Sequence, residues 1–235
     1  YASSTTYLTG RAVEEACTKL RESLQKIGAQ LLGCEVDDTA FDGKKVYRLE
    51  AVEGERNEVS LKDIATKSMA NNAFETQFTA NTTSPVSPPP FMVGMAEVEI
   101  DKETGEIRVL NYEATVDCGT VINPNLARVQ TEGGIAQGIG MALFEDINYG
   151  ERGDIRENSF MQYKIPSRLD VGHINVAFES SYEPTGPFGA KSIGEVVINP
   201  PCPALAHAVY NATGVWIREM PITPEKILKA LKEKE

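Results

Sequence analysis

The sequence predicts an α+β protein built of layered mixed sheets and helices. Some segments repeat apolar residues every three or four positions, as helices do, and others alternate polar with apolar residues, as half-buried strands do. Strands and helices do not follow a strict strand–helix–strand order, which favours α+β over a doubly wound architecture. The 235 residues suffice for one large domain or two modest ones with their own cores.

The first part of the chain combines two predicted helices with a strand. Apolar residues spaced by three and four between Val13 and Ile27 predict a helix, and Gly28 is well placed to end it. Residues 44–52 have the composition of a strand. Ser60 is the expected N-cap of a second helix over 61–74.

A stretch rich in proline, serine and threonine over 79–91 is the clearest internal boundary. We expect it to connect a first α+β segment, residues 1–78, to a second one, residues 92–235. The second segment contains an Ile-Asn-Pro turn, a glycine-rich helix and a glycine-rich loop.

Alternating residues on both sides of "KETG" predict a hairpin at the start of the second segment. The apolar segment 122–147 looks helical but contains four glycines, each of which costs a helix about 1 kcal/mol relative to alanine. Four of them indicate tight backbone packing or contact with a bound group. The remaining predicted elements are a strand over 173–180, a helix over 203–214 and a terminal helix from Pro224.

Composition excludes several classes of function. The net charge is −11, from 23 basic and 34 acidic residues without a basic cluster, which argues against nucleic acid or an anionic membrane as a partner. No apolar run approaches the ~20 residues that cross a bilayer. The four cysteines match neither iron–sulfur nor zinc-ribbon spacing, so we expect buried free thiols in a reducing cytoplasm. Two histidines leave little scope for a histidine metal site or a Ser-His-Asp triad.

The loop "GPFGAKSIGEV" presents one carboxylate, Glu195, among three glycines. Such a loop is either an ordinary surface turn or a cradle whose N–H groups face an anion. The glycines between Gly133 and Gly140 do not match a dinucleotide-binding motif and favour helix packing instead. Gln130 precedes them as either a buried hydrogen-bonding anchor or merely an exposed polar residue.

Three ordered motifs carry a resemblance to a known family. The segments "VDCGTVINPNLARVQTEGGIAQGIGMALFE", "YKIPSRLD" and "GPFGAKSIGE" resemble the molybdopterin-binding subunit of molybdenum hydroxylases, the xanthine dehydrogenase and aldehyde oxidoreductase family. The resemblance extends through "ASSTTYLTGRAVEEAC" and "MPITPEKILKAL" and therefore covers nearly the whole chain. It corresponds to about the last third of the family's large subunit.

The resemblance implies a role for individual residues. Glu195, which ends the glycine-rich loop, matches the active-site base for oxidative hydroxylation with water-derived oxygen. Ser192 stands where the family often has glycine, which adds a side chain near the cofactor. No residue is expected to ligate molybdenum, because the pterin dithiolene supplies the sulfurs. The residues matched to cofactor contacts are Ala2, Ser3, Thr5, Asn123, Pro124, Gln130, Lys191, Ser192, Ile193 and Gly194.

The resemblance also implies cofactors and partners. The cofactor is molybdopterin in its cytosine dinucleotide form, with molybdenum. Iron–sulfur clusters and FAD are expected on partner chains, together with the remaining molybdopterin-binding segment or subunit. The substrate is a purine, a nicotinate, another N-heterocycle or an aldehyde. The alternative is a non-catalytic, cofactor-free structural domain of such a subunit.

Overall fold

The computed structural model of the chain describes residues 3–70, 74–83 and 86–234. It divides into two compact units, one of Leu8–Pro85 and a larger one of Tyr1–Tyr7 with Val86–Glu235. Each combines helices with a three-stranded sheet, so the predicted α+β class is confirmed. The division falls within the segment 79–91, but the first seven residues belong to the larger unit. The separation into domains at that segment stays a prediction.

The smaller unit packs helices on an antiparallel sheet of strand order β1-β2-β3. Ser60 is the N-cap of its second helix, as predicted: its Oγ accepts the N–H of Asp63 at 3.2 Å, and Asp63 Oδ2 accepts the N–H of Ser60 at 3.3 Å. Its core consists of Ile27, Leu32, Val46, Val59 and Ile64. The elements are α1 (Gly10–Leu32), β1 (Thr39–Phe41), β2 (Lys45–Arg48), β3 (Glu58–Ser60) and α2 (Leu61–Ala70).

Two expectations about α1 are wrong. Gly28 does not end the helix, which runs to Leu32 and is terminated by Gly33 at a φ of +69°. Gly28 is instead a packing position, because a Cβ there would lie 2.5 Å from Cβ of Val46. Cysteines were expected to be buried, but the thiol on this helix, Cys17, is exposed.

The larger unit is organised on a sheet of order β4-β5-β6. The predicted hairpin is confirmed, since β4 and β5 pair antiparallel from Phe91↔Asp117 to Ile100↔Ile107. The third strand, β6, pairs with β5 in parallel. The elements are β4 (Phe91–Ile100), β5 (Ile107–Asp117), α3 (Pro124–Leu143), β6 (His173–Phe178), α4 (Pro201–Thr213) and α5 (Pro224–Lys234).

Helices α3 and α4 bury one face of this sheet. Tyr112 of β5, Ile135 and Ile139 of α3, and Leu205 of α4 are fully buried in the shared core. Within the described residues, no helix is long and apolar enough to cross a membrane.

The glycines of α3 have different environments. A Cβ on Gly134 would lie 2.3 Å from Cγ2 of Val197, and one on Gly138 would lie 2.7 Å from Cβ of Pro201. A Cβ on Gly140 would lie 2.1 Å from Oε1 of Glu145 and 2.9 Å from Cδ of Pro166. A Cβ on Gly133 would meet nothing within 4 Å. Close packing therefore explains three of the four glycines and leaves Gly133 without a steric reason.

Parallel pairing of β5 with β6 places the carboxyl ends of both strands at one edge of the sheet. Val116 is opposite Phe178 in the register, and the N–H of Glu179 donates to Val116 O at 2.9 Å. The chain that leaves β5 leads into α3, and the chain that leaves β6 leads into the glycine-rich loop. Both therefore start from the same edge.

Two neighbouring glycines of α3 give a matched test of this packing. We expect Gly133→Ala to raise the free energy of unfolding by ~1 kcal/mol through helix propensity. Gly134→Ala should lower it by roughly 1–3 kcal/mol, because the methyl group overlaps Val197. Chemical denaturation of both variants measures the difference. Equal effects of the two substitutions would show that the packing of α3 is not as described.

Candidate active site

A cavity of about 560 Å³ opens at this edge of the larger unit. Three separate parts of the chain surround it: the N-terminal segment, the turn with the start of α3, and the glycine-rich loop. The lining residues are Ser3, Thr5, Thr6, Cys118, Thr120, Val121, Ile122, Asn123, Leu126, Ala127, Gln130, Lys191, Ser192, Ile193, Gly194 and Glu195.

The structure brings together nearly all residues that the sequence nominated. Every nominated residue that is described lines the cavity except Pro124, which is the first residue of α3. Asn123 is the N-cap of this helix, and its side-chain oxygen accepts the N–H of Leu126 at 3.1 Å. Ala2 lies outside the described residues. The roles assigned to these residues stay predictions.

Part of the cavity wall was not predicted from the sequence. Residues 118–122, which connect β5 to the Asn123 cap, contribute four lining residues. Their position in "VDCGTVINP", directly after a predicted strand, is the signal that could have nominated them. Asp117 lies just outside the lining and was also missed.

Asp117 fixes the glycine-rich loop to the end of β5. Its carboxylate accepts hydrogen bonds from Lys191 Nζ at 2.8 Å, Ser181 Oγ at 2.6 Å and the N–H of Gly119 at 2.9 Å. Burial raises the pKa of this carboxyl, but the three donors and the charge of Lys191 together outweigh burial and lower it. Burial, and then the charge of Asp117, raises the pKa of the adjacent Cys118 thiol, which is therefore protonated at neutral pH.

The backbones of the two loops form a short ladder. Lys191 N–H donates to Cys118 O at 2.8 Å, and Thr120 N–H donates to Gly189 O at 2.8 Å. Gly119 has a φ of +70°, and a Cβ there would lie 2.4 Å from Gly189 O. Glycine is therefore required at position 119 by both conformation and space.

Ser192 connects the loop to the N-terminal segment. It lines the cavity but is buried, and its Oγ accepts the N–H of Tyr7 at 3.2 Å. The buried Tyr7 also donates its hydroxyl to Thr185 Oγ1 at 2.7 Å. The serine that replaces the family's frequent glycine thus has a structural partner within this chain.

The peptide group between Gly194 and Glu195 is held at both of its polar atoms. Gln130 Nε2 donates to Gly194 O at 3.0 Å, and the N–H of Glu195 donates to Ser3 Oγ at 2.7 Å. Ser3 Oγ also donates to Glu195 Oε2 at 3.3 Å. Gln130 is therefore exposed, so the buried alternative is wrong, but its side chain still anchors the loop through this hydrogen bond.

The donors around the cavity suit an anionic group. Within the described chain, the N–H groups of Ser192, Ile193 and Gly194 have no hydrogen-bond partner. The first turn of α3, with its positive dipole end, and the hydroxyls of Thr5 and Thr6 belong to the same wall. This donor set fits the thiolate and phosphate groups of a pterin cofactor. The described residues contain no cluster of three or more histidine, cysteine or acidic side chains able to hold a metal ion.

Comparison with known proteins identifies the family. The family model described as the molybdopterin cofactor-binding domain matches residues 1–172. The chain belongs to this family and corresponds to a molybdopterin-binding part of a protein of the molybdenum hydroxylase family.

Curated relatives extend the match along nearly the whole chain. The probable hypoxanthine oxidase XdhD of Escherichia coli K12 is 38% identical over 237 residues, which cover 99% of this chain and 24% of that protein. Subunit gamma of the 6-hydroxypseudooxynicotine dehydrogenase complex of Paenarthrobacter nicotinovorans is 30% identical over 240 residues, 97% of this chain and 29% of that protein. The chain therefore spans less than a third of the length of these relatives.

Solved structures share the fold. Quinoline 2-oxidoreductase of Pseudomonas putida 86 superimposes with a TM-score of 0.83 at 28% identity, over 99% of this chain and 30% of that one. Reconstituted CO dehydrogenase from Oligotropha carboxidovorans gives a TM-score of 0.83 at 25% identity, with the same coverage of both chains.

The hydrogen-bonded carboxylate of Asp117, at the end of β5, predicts that the stability of the folded chain decreases at acid pH. Because the pKa of Asp117 is lower in the folded chain than its unfolded value of about 3.9, its stabilising contribution is complete above that value and is lost as pH falls through the folded pKa. We expect Asp117→Asn to lower the melting temperature at pH 7, and this deficit to shrink progressively below about pH 5.

Glu106→Gln is the matched control. Within the described residues, the exposed side chain of Glu106 has no hydrogen bond or ion pair. Melting curves recorded against pH should leave this variant close to wild type throughout. A deficit for Asp117→Asn that stays constant from pH 7 to pH 3 would contradict the role assigned to its charge.

Proposed function

We propose that this chain supplies the catalytic base, and one wall of the cofactor site, for a molybdenum hydroxylase. The reaction is the oxidative hydroxylation of an N-heterocycle or an aldehyde with water-derived oxygen. The observation that carries the proposal is the position of Glu195, at the cavity and on a peptide group held by Ser3 and Gln130.

The residues of the cavity wall have complementary tasks. The N–H groups of 192–194 and the hydroxyl of Thr5 would hold the pterin dithiolene and its pyranopterin, and the cap region at Asn123 would hold the nucleotide end. When bound, the molybdenum cofactor supplies the two-electron redox chemistry. The hydrogen bonds of Asp117 and Gln130 keep the loop in place without using the N–H groups of 192–194.

Among the described residues that line the cavity, Glu195 is the only carboxylate. Its Oε2 accepts the hydrogen bond from Ser3, and among the described residues Oε1 has no donor, so Oε1 can take a proton from a reacting group in the cavity. Lys191, the cationic side chain among the described lining residues, is paired with Asp117. A base must lie within hydrogen-bonding reach of the proton it removes, and this wall offers a single candidate.

The substrate class follows the names of the relatives. They include hypoxanthine and quinoline, which are N-heterocycles, as well as aldehydes. The proposal therefore includes both N-heterocycles and aldehydes as substrates. It assigns the choice between them to residues in the part of the relatives that this chain does not cover.

The cofactors and partners are part of the same proposal. We assign the cavity to molybdopterin in its cytosine dinucleotide form, with iron–sulfur clusters and FAD on partner chains and with the remaining molybdopterin-binding segment completing the site. Two relatives are named as a complex subunit and as a large chain, which supports assembly with other chains. A cytoplasmic location is supported by four free thiols, of which only Cys118 is fully buried.

Glu195→Gln tests the base directly. In the cofactor-loaded enzyme that contains this chain, we expect turnover to fall by about 10²–10⁴-fold, because glutamine keeps the shape but cannot accept the proton. Molybdenum content and melting temperature should stay at the wild-type values, and Glu106→Gln should leave turnover unchanged. Wild-type turnover of the Glu195 variant would reject the role of Glu195. A wild-type complex that contains all partners but no molybdenum would favour the alternative, a cofactor-free structural domain.

Gln130→Ala tests the proposed role of the cavity wall at a position other than Glu195. We expect lower molybdenum occupancy or slower turnover, because Gly194 O loses its donor and the amide no longer faces the cavity. Gln137, two turns further along α3, is exposed and lies outside the cavity wall, so Gln137→Ala is the matched control. Molybdenum content and turnover, measured for both variants, show whether Gln130 has this role. Full occupancy and activity of Gln130→Ala, with a melting temperature raised as at a surface position, would rule out the role.

A further inference from the structure

Ser3 has a backbone conformation that serine rarely adopts. Its φ is +49°, and among the described residues only Ser3 and Phe188 combine positive φ with a side chain. Such a conformation persists only where surrounding contacts enforce it, and it is concentrated at functional sites. Glycine would adopt it without strain. The presence of serine at position 3 therefore requires a reason in its side chain.

The hydroxyl of Ser3 supplies that reason, because both of its hydrogen bonds go to Glu195. Oγ accepts the N–H of Glu195 at 2.7 Å and donates to Oε2 of the same residue at 3.3 Å. One hydroxyl can do both, since it has one proton and two lone pairs. The two contacts fix the backbone and the carboxylate of a residue that lies 192 positions later in the chain.

The N-terminal segment does not depend on Ser3 for its attachment. The buried Tyr7 donates its N–H to Ser192 Oγ and its hydroxyl to Thr185 Oγ1. Gln130 separately holds Gly194 O. Removal of the Ser3 hydroxyl should therefore leave the segment and the loop folded, while the carboxylate of Glu195 loses its only hydrogen-bond donor among the described residues.

We propose that Ser3 is a positioning residue for Glu195, rather than only part of the cofactor wall. Its hydroxyl fixes the direction of the Glu195 side chain, and its strained backbone brings that hydroxyl into reach. This inference rests on the proposed function, in which Glu195 is the base. Because Ser3 acts on the base, its loss should lower kcat and leave KM unchanged.

Three variants separate the hydroxyl from the backbone. Ser3→Ala and Ser3→Gly both remove the hydroxyl, but only glycine relieves the positive φ, so Ser3→Gly should melt at a higher temperature than Ser3→Ala. Thr9→Ala is the control for loss of a hydroxyl from the same part of the sequence, because the exposed Thr9 makes no side-chain cap hydrogen bond.

Hydrogen exchange of the Glu195 amide, measured in the enzyme that contains this chain, tests the contact without reference to activity. We expect faster exchange in both Ser3 variants and wild-type exchange in Thr9→Ala. In the cofactor-loaded enzyme, we expect kcat to fall by about 10- to 100-fold in both Ser3 variants, since small misplacements of a catalytic group have effects of this size. The kcat of Thr9→Ala should equal that of wild type.

Several results would overturn the inference. Unchanged exchange of the Glu195 amide in Ser3→Gly would show that the contact does not hold that residue. Wild-type kcat in Ser3→Gly, with a loss only in Ser3→Ala, would assign the effect to backbone strain instead of the hydroxyl. Faster exchange of the Glu195 amide in the Ser3 variants, together with wild-type turnover of Glu195→Gln, would reject the proposed function itself. The contact would then have no catalytic meaning.

Discussion

The parallel pairing of β5 with β6 is the constraint on which the site depends. It brings to one edge of the sheet two loops that are distant in the sequence, and it does so above a fully buried core that includes Tyr112 and Val116. Asp117, the last residue of β5, then fastens the second loop through Lys191 at 2.8 Å. Four residues further along that loop is Glu195. The position of Glu195, the proposed base, therefore derives from strand pairing through one ion pair with little exposure to water.

Glycines divide into those that the fold requires and those that it does not. Gly119, Gly134 and Gly138 each have neighbours that a Cβ would overlap, so the packing of this chain explains them. Gly194 has no such neighbour: the closest atom to its ideal Cβ is Ser3 Oγ at 3.6 Å, and its φ is not positive. Gly194, which like Gly133 has no steric reason within the described chain, lies beside Glu195, where contact with a bound group is proposed.

Much of this arrangement could be predicted from sequence because its signals are local. Alternation around "KETG" specifies the hairpin, and the spacing of Ser60 and Asp63 specifies a helix start. The family motifs are contiguous stretches of sequence, so they are local signals as well, and they nominated most of the residues that line the cavity. Contacts between residues that are far apart in the sequence were not predictable. Gly28 was wrongly predicted to end α1, because no local pattern shows that Val46 of β2 packs against it. Likewise, no local pattern pairs Ser3 with Glu195 or Asp117 with Lys191.

The most direct test of the central claim is an experimental structure of the cofactor-loaded enzyme that contains this chain. We expect density for the pterin cofactor in the cavity between residues 3–6, 118–130 and 191–195, with the carboxylate of Glu195 facing the metal. The N–H groups of 192–194 should contact the cofactor. Density for the cofactor elsewhere, or a Glu195 side chain directed away from it, would contradict the proposed roles of the cavity and of Glu195.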